Sequence, residues 1–249
     1  MKNQYFADVN DYRKYGLLRL LSDEGRVSTA ICWMLTEDDN STHGNNNGYA
    51  SNPNQWRNYD PDLFDILKDV VFKEGEGIRK DIEVAEEHQI VRLALYYDPH
   101  NSGQRIYLTD DSEKRKEYFA EFFKLASPHK LIFFDPDNGL EVPSVPYGRR
   151  KSSKYLYRHE LERAIKAGHS VLLYQHFPMH QRRDDFIARK AEELGRMACE
   201  KKIYSFRTAH VVFFLMPKDE HLDELDQGVK LIKIRWSGQI EIKGHTLRL

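Results

Sequence analysis

The feature that most restricts this chain is an exchange between two hydrophobic periods. Short apolar runs at Thr29–Leu35, Val91–Tyr97, Leu131–Phe134 and Ser170–Gln175 alternate with segments whose apolar residues recur at helical spacing. Runs this short and continuous suit strands covered on both faces, and the segments between them are long enough to carry the chain to a parallel neighbour. The helical segments are Asp11–Leu21, a stretch from Asp60-Pro61 through Phe72, the more charged Ile78–Glu87, Ser112–Ala126, Lys154–Ala167 and Asp184–Cys199. Asp8 or Asn10 suits the first N-cap, Pro61 a first helical position, and Asp110 with Glu113 a cap on the fourth. After the last helix the pattern changes to Ile203–Phe206 and Val211–Met216, a closing hairpin. Val229–Arg235 and Gln239–Lys243 suggest a second hairpin around Ser237-Gly238.

Strand–helix–strand alternation predicts a Rossmann-like α/β fold. It would have a mainly parallel sheet, helices on both faces, an added N-terminal helix and a closing antiparallel hairpin. At 249 residues with 40% apolar content the chain is expected to form a single α/β domain spanning 1–249. The net charge of −1 excludes a uniformly basic nucleic-acid sleeve but leaves room for a local patch. Cys32 and Cys199 have neither metal nor redox spacing and read as reduced, buried thiols. With no signal-like N-terminal stretch and no run near the roughly 20 apolar residues that cross a bilayer, the expectation is a cytoplasmic protein with no membrane partner.

Parallel sheets gather ligands at the carboxyl ends of their strands. The most apolar run, Leu131–Phe134, empties into Asp135-Pro136-Asp137-Asn138-Gly139, and the next ends in Gln175-His176-Phe177. Two carboxylates, a carboxamide and a histidine make Asp135, Asp137, Asn138 and His176 the candidate catalytic residues; as a bare sequence, Asp-Pro-Asp-Asn-Gly is also ordinary turn chemistry. Arg149, Arg150, Lys151, Lys154 and Tyr155 follow the acidic loop, and Arg182 and Arg183 follow His176. Cations suit phosphates and aromatic faces suit bases, so these are candidate nucleic-acid contacts. The polar loop Glu37–Tyr49 contributes Asn45, Asn46 and Asn47 as candidate substrate contacts. It is neither a Walker motif nor a dinucleotide fingerprint. The histidines show no metal-ligand spacing, so no metal is expected.

The order of elements, with Asp11-Tyr12-Arg13-Lys14 on the first helix and Asp135-Pro136 after the central strand, resembles the RlmJ-type ribosomal RNA adenine-N6 methyltransferases. In that family an Asp-x-x-Lys helix precedes a Rossmann-like core, and a strand ending in Asp-Pro-Pro-Tyr carries the catalytic loop. The likeness covers residues 5–217, adds Asp11 and Lys14 to the candidate substrate contacts, and implies S-adenosylmethionine as methyl donor. Two departures stand out. Asp137 and Asn138 replace the Pro and aromatic that hold the adenine, and Glu37–Gly48 lacks the donor-binding glycine pattern. The segments Asp8–Gly16 and Asp135–Leu140 also resemble a group of uncharacterised bacterial proteins, some of them in phage-defence loci.

With the methyltransferase motif degenerate, the first expectation is a hydrolase acting on nucleic acid, DNA before RNA. A glycosylase-like enzyme would break a nucleobase N-glycosidic bond with a carboxylate and no cofactor. The alternatives are an S-adenosylmethionine-dependent adenine-N6 methyltransferase, a metal-dependent nuclease using Asp135 and Asp137, and a non-enzymatic nucleic-acid-binding module.

Overall fold

A computed structural model describes residues 1–39, 46–72 and 81–246. The first helix, α1 (Val9–Leu21), is capped by Asp8, whose carboxylate accepts from the Asn10 and Asp11 amides. Strand β1 (Thr29–Cys32) follows, then the short helix α2 (Pro53–Trp56), α3 (Pro61–Phe72) and the brief α4 (Glu83–Glu87). Next come β2 (Leu95–Tyr97), the small hairpin β3 (His100–Asn101) and β4 (Gln104–Arg105), then α5 (Ser112–Ala126) and β5 (Leu131–Phe134). Two short strands, β6 (Gly139–Leu140) and β7 (Tyr155–Leu156), pair beside the main sheet before α6 (Arg158–Lys166) and β8 (Ser170–His176). The chain closes with α7 (Arg183–Ala198), β9 (Lys202–Arg207), β10 (Val211–Met216), α8 (Leu222–Arg235) and β11 (Glu241–Thr246).

The main sheet has seven strands in the order β11-β9-β10-β8-β5-β1-β2. β2, β1, β5 and β8 run parallel, β10 inserts antiparallel between β8 and β9, and β11 adds an antiparallel edge. Side-chain alternation divides the core into two layers. Ile31, Leu131, Phe133, Leu172 and Phe213 pack with α1, α3 and α8 on one face. Ala30, Ile132, Phe134, Leu173 and Phe214 pack with α5, α6 and α7 on the other. The expected α/β class, with helices on both faces and an antiparallel hairpin at one side, is the observed one. Among the described residues, no helix is long and apolar enough to cross a membrane.

Several local expectations give way. The helix expected over Lys154–Ala167 starts only at Arg158, because Tyr155–Leu156 pairs with β6. Of the helix expected over Ile78–Glu87, residues 78–80 lie outside the described residues and α4 covers Glu83–Glu87. Cys199, expected to be buried, is exposed. β2 is confined to Leu95–Tyr97 because the Tyr96 hydroxyl bonds both the N–H and the C=O of Val91, folding the preceding residues into a loop. β1 stops at Cys32, and the backbone bends at Met34, whose φ is 47° while its side chain stays buried. α5 is capped by Asp111 rather than Asp110, which instead accepts from the Lys151 and Ser153 amides. The suggested hairpin around Ser237-Gly238 is a helix followed by an edge strand: Leu225, Gly228, Val229 and Ile232 form one buried face of α8 at helical spacing. That face docks on α1. An added Cβ at Gly228 would lie 2.6 Å from the Leu20 carbonyl oxygen, so glycine lets the two backbones approach closely.

Candidate functional site

The chain leaves β1 toward β2 on one side and returns to β5 on the other, so strand order reverses between β1 and β5. Crevices outside such a reversal are the ligand sites of open α/β sheets. Here the crevice opens into a cavity of about 510 Å³ that takes in Asp11, Lys14, Asn46, Asp135, Asp137, Asn138, Lys154 and His176. Residues from α1, the loop before α2, the β5 loop, the segment before β7 and the end of β8 thus meet at one point.

Asp135 ends β5 and is 2% exposed. Its carboxylate accepts from the Lys14 ammonium at 2.8 Å, and Lys14 also pairs with Asp11 at 2.7 Å. A buried ammonium costs several kcal/mol unless paired, so Lys14 needs both acids. Although burial alone would lower it, the two carboxylates hold the Lys14 pKa above its ordinary value. Asp11 also accepts from the Ala7 amide. Burial pushes its pKa up to about 7, against the pull of Lys14 and with repulsion from Asp8.

Asp137 behaves oppositely. Burial raises its pKa, but the α-ammonium of Met1 at 2.8 Å and the Thr36 hydroxyl at 3.1 Å outweigh that and hold it below the usual carboxylate range. The same ammonium donates to the Asp135 carbonyl at 2.9 Å. Two nearby carboxyls therefore have their proton affinities driven apart, the arrangement by which one site keeps an anion beside a group that titrates near neutrality.

The turn after Asp137 is set by Gly139, with φ of 111°. Its missing side chain leaves room for Gln175, whose amide would lie 2.4 Å from an added Cβ. Gln175 donates to the Asn138 carbonyl and accepts from the Leu140 amide, locking the acidic loop to β8. His176 stands at the exposed mouth with Nε2 2.8 Å from the Tyr174 hydroxyl, and desolvation against the cavity wall lowers its pKa.

The basic segment lies elsewhere. Arg149, Arg150 and Lys151 are exposed and line no part of this cavity. The loop bearing them is tied down through Asp110 and through Arg115, which donates to the Ser152 carbonyl. Of that run only Lys154 reaches the site, while Tyr155 is half-buried in β7. Arg182 is exposed and pairs loosely with Asp185 at 3.8 Å; Arg183 sits over the Phe177 ring. Asn47 lies near the cavity without lining it, and Asn45 lies outside the described residues.

Several cavity residues were not anticipated: Met1, Tyr5, Asp8, Asn10, Tyr174 and His210. For Tyr174 a signal existed, since it is two residues before His176 and must share its face of β8. His210, on the β9–β10 turn, carries no sequence mark of its destination. Among the described residues, the trio close enough to share a metal ion is Glu83, Asp98 and His100, away from this cavity, and Arg105 already pairs with two of its members.

No family model matches this chain. No curated protein matches it either. A solved structure that does match is a protein from Legionella pneumophila str. Philadelphia 1 with the family model DUF519, 13% identical, covering 97% of each chain with a TM-score of 0.40. At that distance the site has to be understood from its own residues.

Proposed function

We propose that this protein hydrolyses the N-glycosidic bond of a nucleobase in nucleic acid, DNA before RNA, with Asp137 as the anion facing the sugar. The observation that carries the reading is Asp137 itself, a carboxylate kept ionised inside a cavity of ligand size and beside hydrogen-bonding groups. As the C1′–N bond breaks, its electron pair leaves with the base and C1′ gains oxocarbenium character, which a fixed anion stabilises. Water then forms the new C1′–O bond, and the proton it gives up balances the one the departing base takes on, so a sugar hydroxyl and a neutral free base result. A carboxylate with a depressed pKa is a weak base, so Asp137 acts mainly through its charge. Asn138 orients the base, and the Tyr174–His176 pair gives hydrogen bonds to the departing base at the cavity mouth. Lys154 meets an adjacent phosphate.

The test is incubation with genomic DNA carrying ordinary and modified bases, followed by mass spectrometry. Released free base is the expected product, and Asp137→Asn should lower its rate by about 10²–10⁴ while binding is retained. Unchanged release by that variant would falsify the assignment.

One observation favours a second reading, methyl transfer from S-adenosylmethionine: the cavity opens at the β1/β5 reversal, where Rossmann-like sheets hold nucleotide-bearing cofactors. Calorimetric titration separates the two. Micromolar binding of S-adenosylmethionine with methylated base as product selects methyl transfer; silence with released base selects hydrolysis.

A further inference from the structure

A base that leaves its sugar must take on a proton, and two cavity groups are poorly suited to give it. Asp137 is held ionised by the Met1 ammonium and Thr36, and desolvation keeps the His176 imidazole uncharged at neutral pH. The titratable groups with no part in the chemistry so far lie on the α1 side of the same cavity. There Asp8, Asp11 and Asp135, all buried, stand around one ammonium, that of Lys14. The neighbouring cations are engaged elsewhere: Met1 pairs with Asp137 at 2.8 Å, and Lys2 with Asp39. Three acids beside one cation leave surplus negative charge out of water, and a proton on one of them relieves it. Asp8 is a poor carrier, because as N-cap it accepts from the Asn10 and Asp11 amides at 2.7 and 2.9 Å, bonds that favour the anion. Asp11 faces both of the other carboxylates, and burial with that repulsion pushes its pKa up to about 7. Tyr15, Tyr49 and Tyr174 also face the cluster, but burial keeps their phenols un-ionised.

We infer that Asp11 is the general acid of the cavity, its carboxyl proton passing to a nitrogen of the departing base. This rests on the base-excision reading and deepens it by assigning the proton donor. The electron pair of the C1′–N bond goes to the base, the Asp11 O–H bond breaks, and a base N–H bond forms. Water then adds to C1′, and the proton it sheds returns to the Asp11 carboxylate, so the cluster ends as it began. While Asp11 is without its proton, the Lys14 ammonium at 2.7 Å stabilises the new charge. The Asp-x-x-Lys pair on α1 is then a proton donor with its counter-ion, built from adjacent turns of one helix.

The experiment measures base release from genomic DNA by the full chain, in single turnovers, from about pH 5 to 9. Wild type is expected to hold its rate up to about 7 and lose roughly tenfold per pH unit above it. Asp11→Asn should slow release by about 10²–10⁴ on the acid side and abolish that alkaline limb. Asp8→Asn keeps a capping side chain but removes one repelling charge, so its limb should move to lower pH. A residue with a merely structural role would change the rate without moving the limb. A limb that persists in Asp11→Asn, or stays in place in Asp8→Asn, overturns the assignment. Should Asp11→Asn fail to fold, the Asp8→Asn shift decides by itself. Base release with an unmoved limb removes the proton donor alone, and no release by wild type at any pH removes the glycosidic reading beneath it. A substrate-free check is the carboxyl carbon resonance that Asp11→Asn deletes: a midpoint near 7 is expected, and one near about 4, the ordinary value, would also end the proposal.

Discussion

Lys14 shows how a single buried charge organises its surroundings. Its ammonium lies between Asp11 and Asp135, with the Met1 sulfur at 3.1 Å and the Trp33 ring 5.4 Å away. At pH 8, where Asp11 is ionised, Lys14→Met leaves two carboxylates buried without their cation, and removing one partner of a buried pair costs about 3–5 kcal/mol. Urea denaturation should register that loss. Adding Asp135→Asn to the variant should recover part of it, because one orphaned charge disappears. The raised pKa of Asp11 makes a separate prediction. Folded Asp11 holds its proton up to about 7 whereas its ordinary value is 3.8, so folding takes up a proton between those two limits. Its contribution to stability is complete below the lower value and fades as pH rises through the upper one. In Asp11→Asn this dependence vanishes. Unfolding free energies should therefore shift in favour of the variant relative to wild type from pH 4 to about 7 and level off above it, and a flat difference across that window would contradict the raised pKa. Asp11 and Lys14 were legible as a motif by resemblance and Asp137 as part of an acidic turn. The partners that set their charge states were not, because Met1 and Thr36 reach Asp137 only through the fold.

At the scale of elements, legibility followed burial. Leu131–Phe134 was read to the residue because a strand covered on both faces has no polar position at which to misjudge its end. The closing hairpin, β9 and β10, was equally plain. The failures came where two periods fit one segment. Val229–Arg235 alternates well enough for a strand, but Gly228 and Ile232 also share a face at helical spacing, and docking against α1 selects the helix. The cost of disturbing that dock is testable. Gly228→Ala gains about 1 kcal/mol of helix propensity. Its Cβ, however, meets Leu20 and Leu21 backbone at 2.6 and 3.0 Å, where neither atom has a rotamer to change. Overpacking of this kind costs about 1–3 kcal/mol, so a net loss of stability in thermal or urea unfolding is expected. A gain would mean that α8 slides on α1 freely. The Asp110/Asp111 exchange has a similar origin. Two adjacent acids precede α5, and only the position of the β5–α6 loop decides which of them caps the helix and which binds Lys151 and Ser153.

For the whole molecule, the decisive quantity is strand order. A net charge of −1 says little about a nucleic-acid surface, but the loops after β5 and β8 both leave the carboxyl edge of the sheet, and the exposed Arg149, Arg150 and Lys151 follow on the first and Arg182 and Arg183 on the second. If this edge meets a phosphate backbone, affinity for duplex falls linearly in logarithm with salt. Arg182→Gln and Arg183→Gln should each then reduce the slope by about one ion. Arg149→Gln should do so only when the strand extends past the cavity, since its loop is held off by Asp110. Anisotropy titrations across a salt series measure this directly, and slopes unchanged in all three variants would remove the edge as a binding face.

The linear order of residues was enough to specify the α/β class, the central strand and the acidic turn that follows it, because these depend on local period and on the physical need to bury apolar runs. It did not specify which distant groups would share the cavity. Proton affinity is set by desolvation and by charges a few ångströms away, and those neighbours, Met1, Lys14 on α1, Thr36 beyond β1 and Lys154 before β7, lie far apart in the chain. The contrast between Asp11 and Asp137 thus belongs to the assembled structure: both are buried beside an ammonium, but Asp11 also faces the Asp8 and Asp135 carboxylates, whereas Asp137 has the Thr36 hydroxyl and the Lys154 charge in its favour.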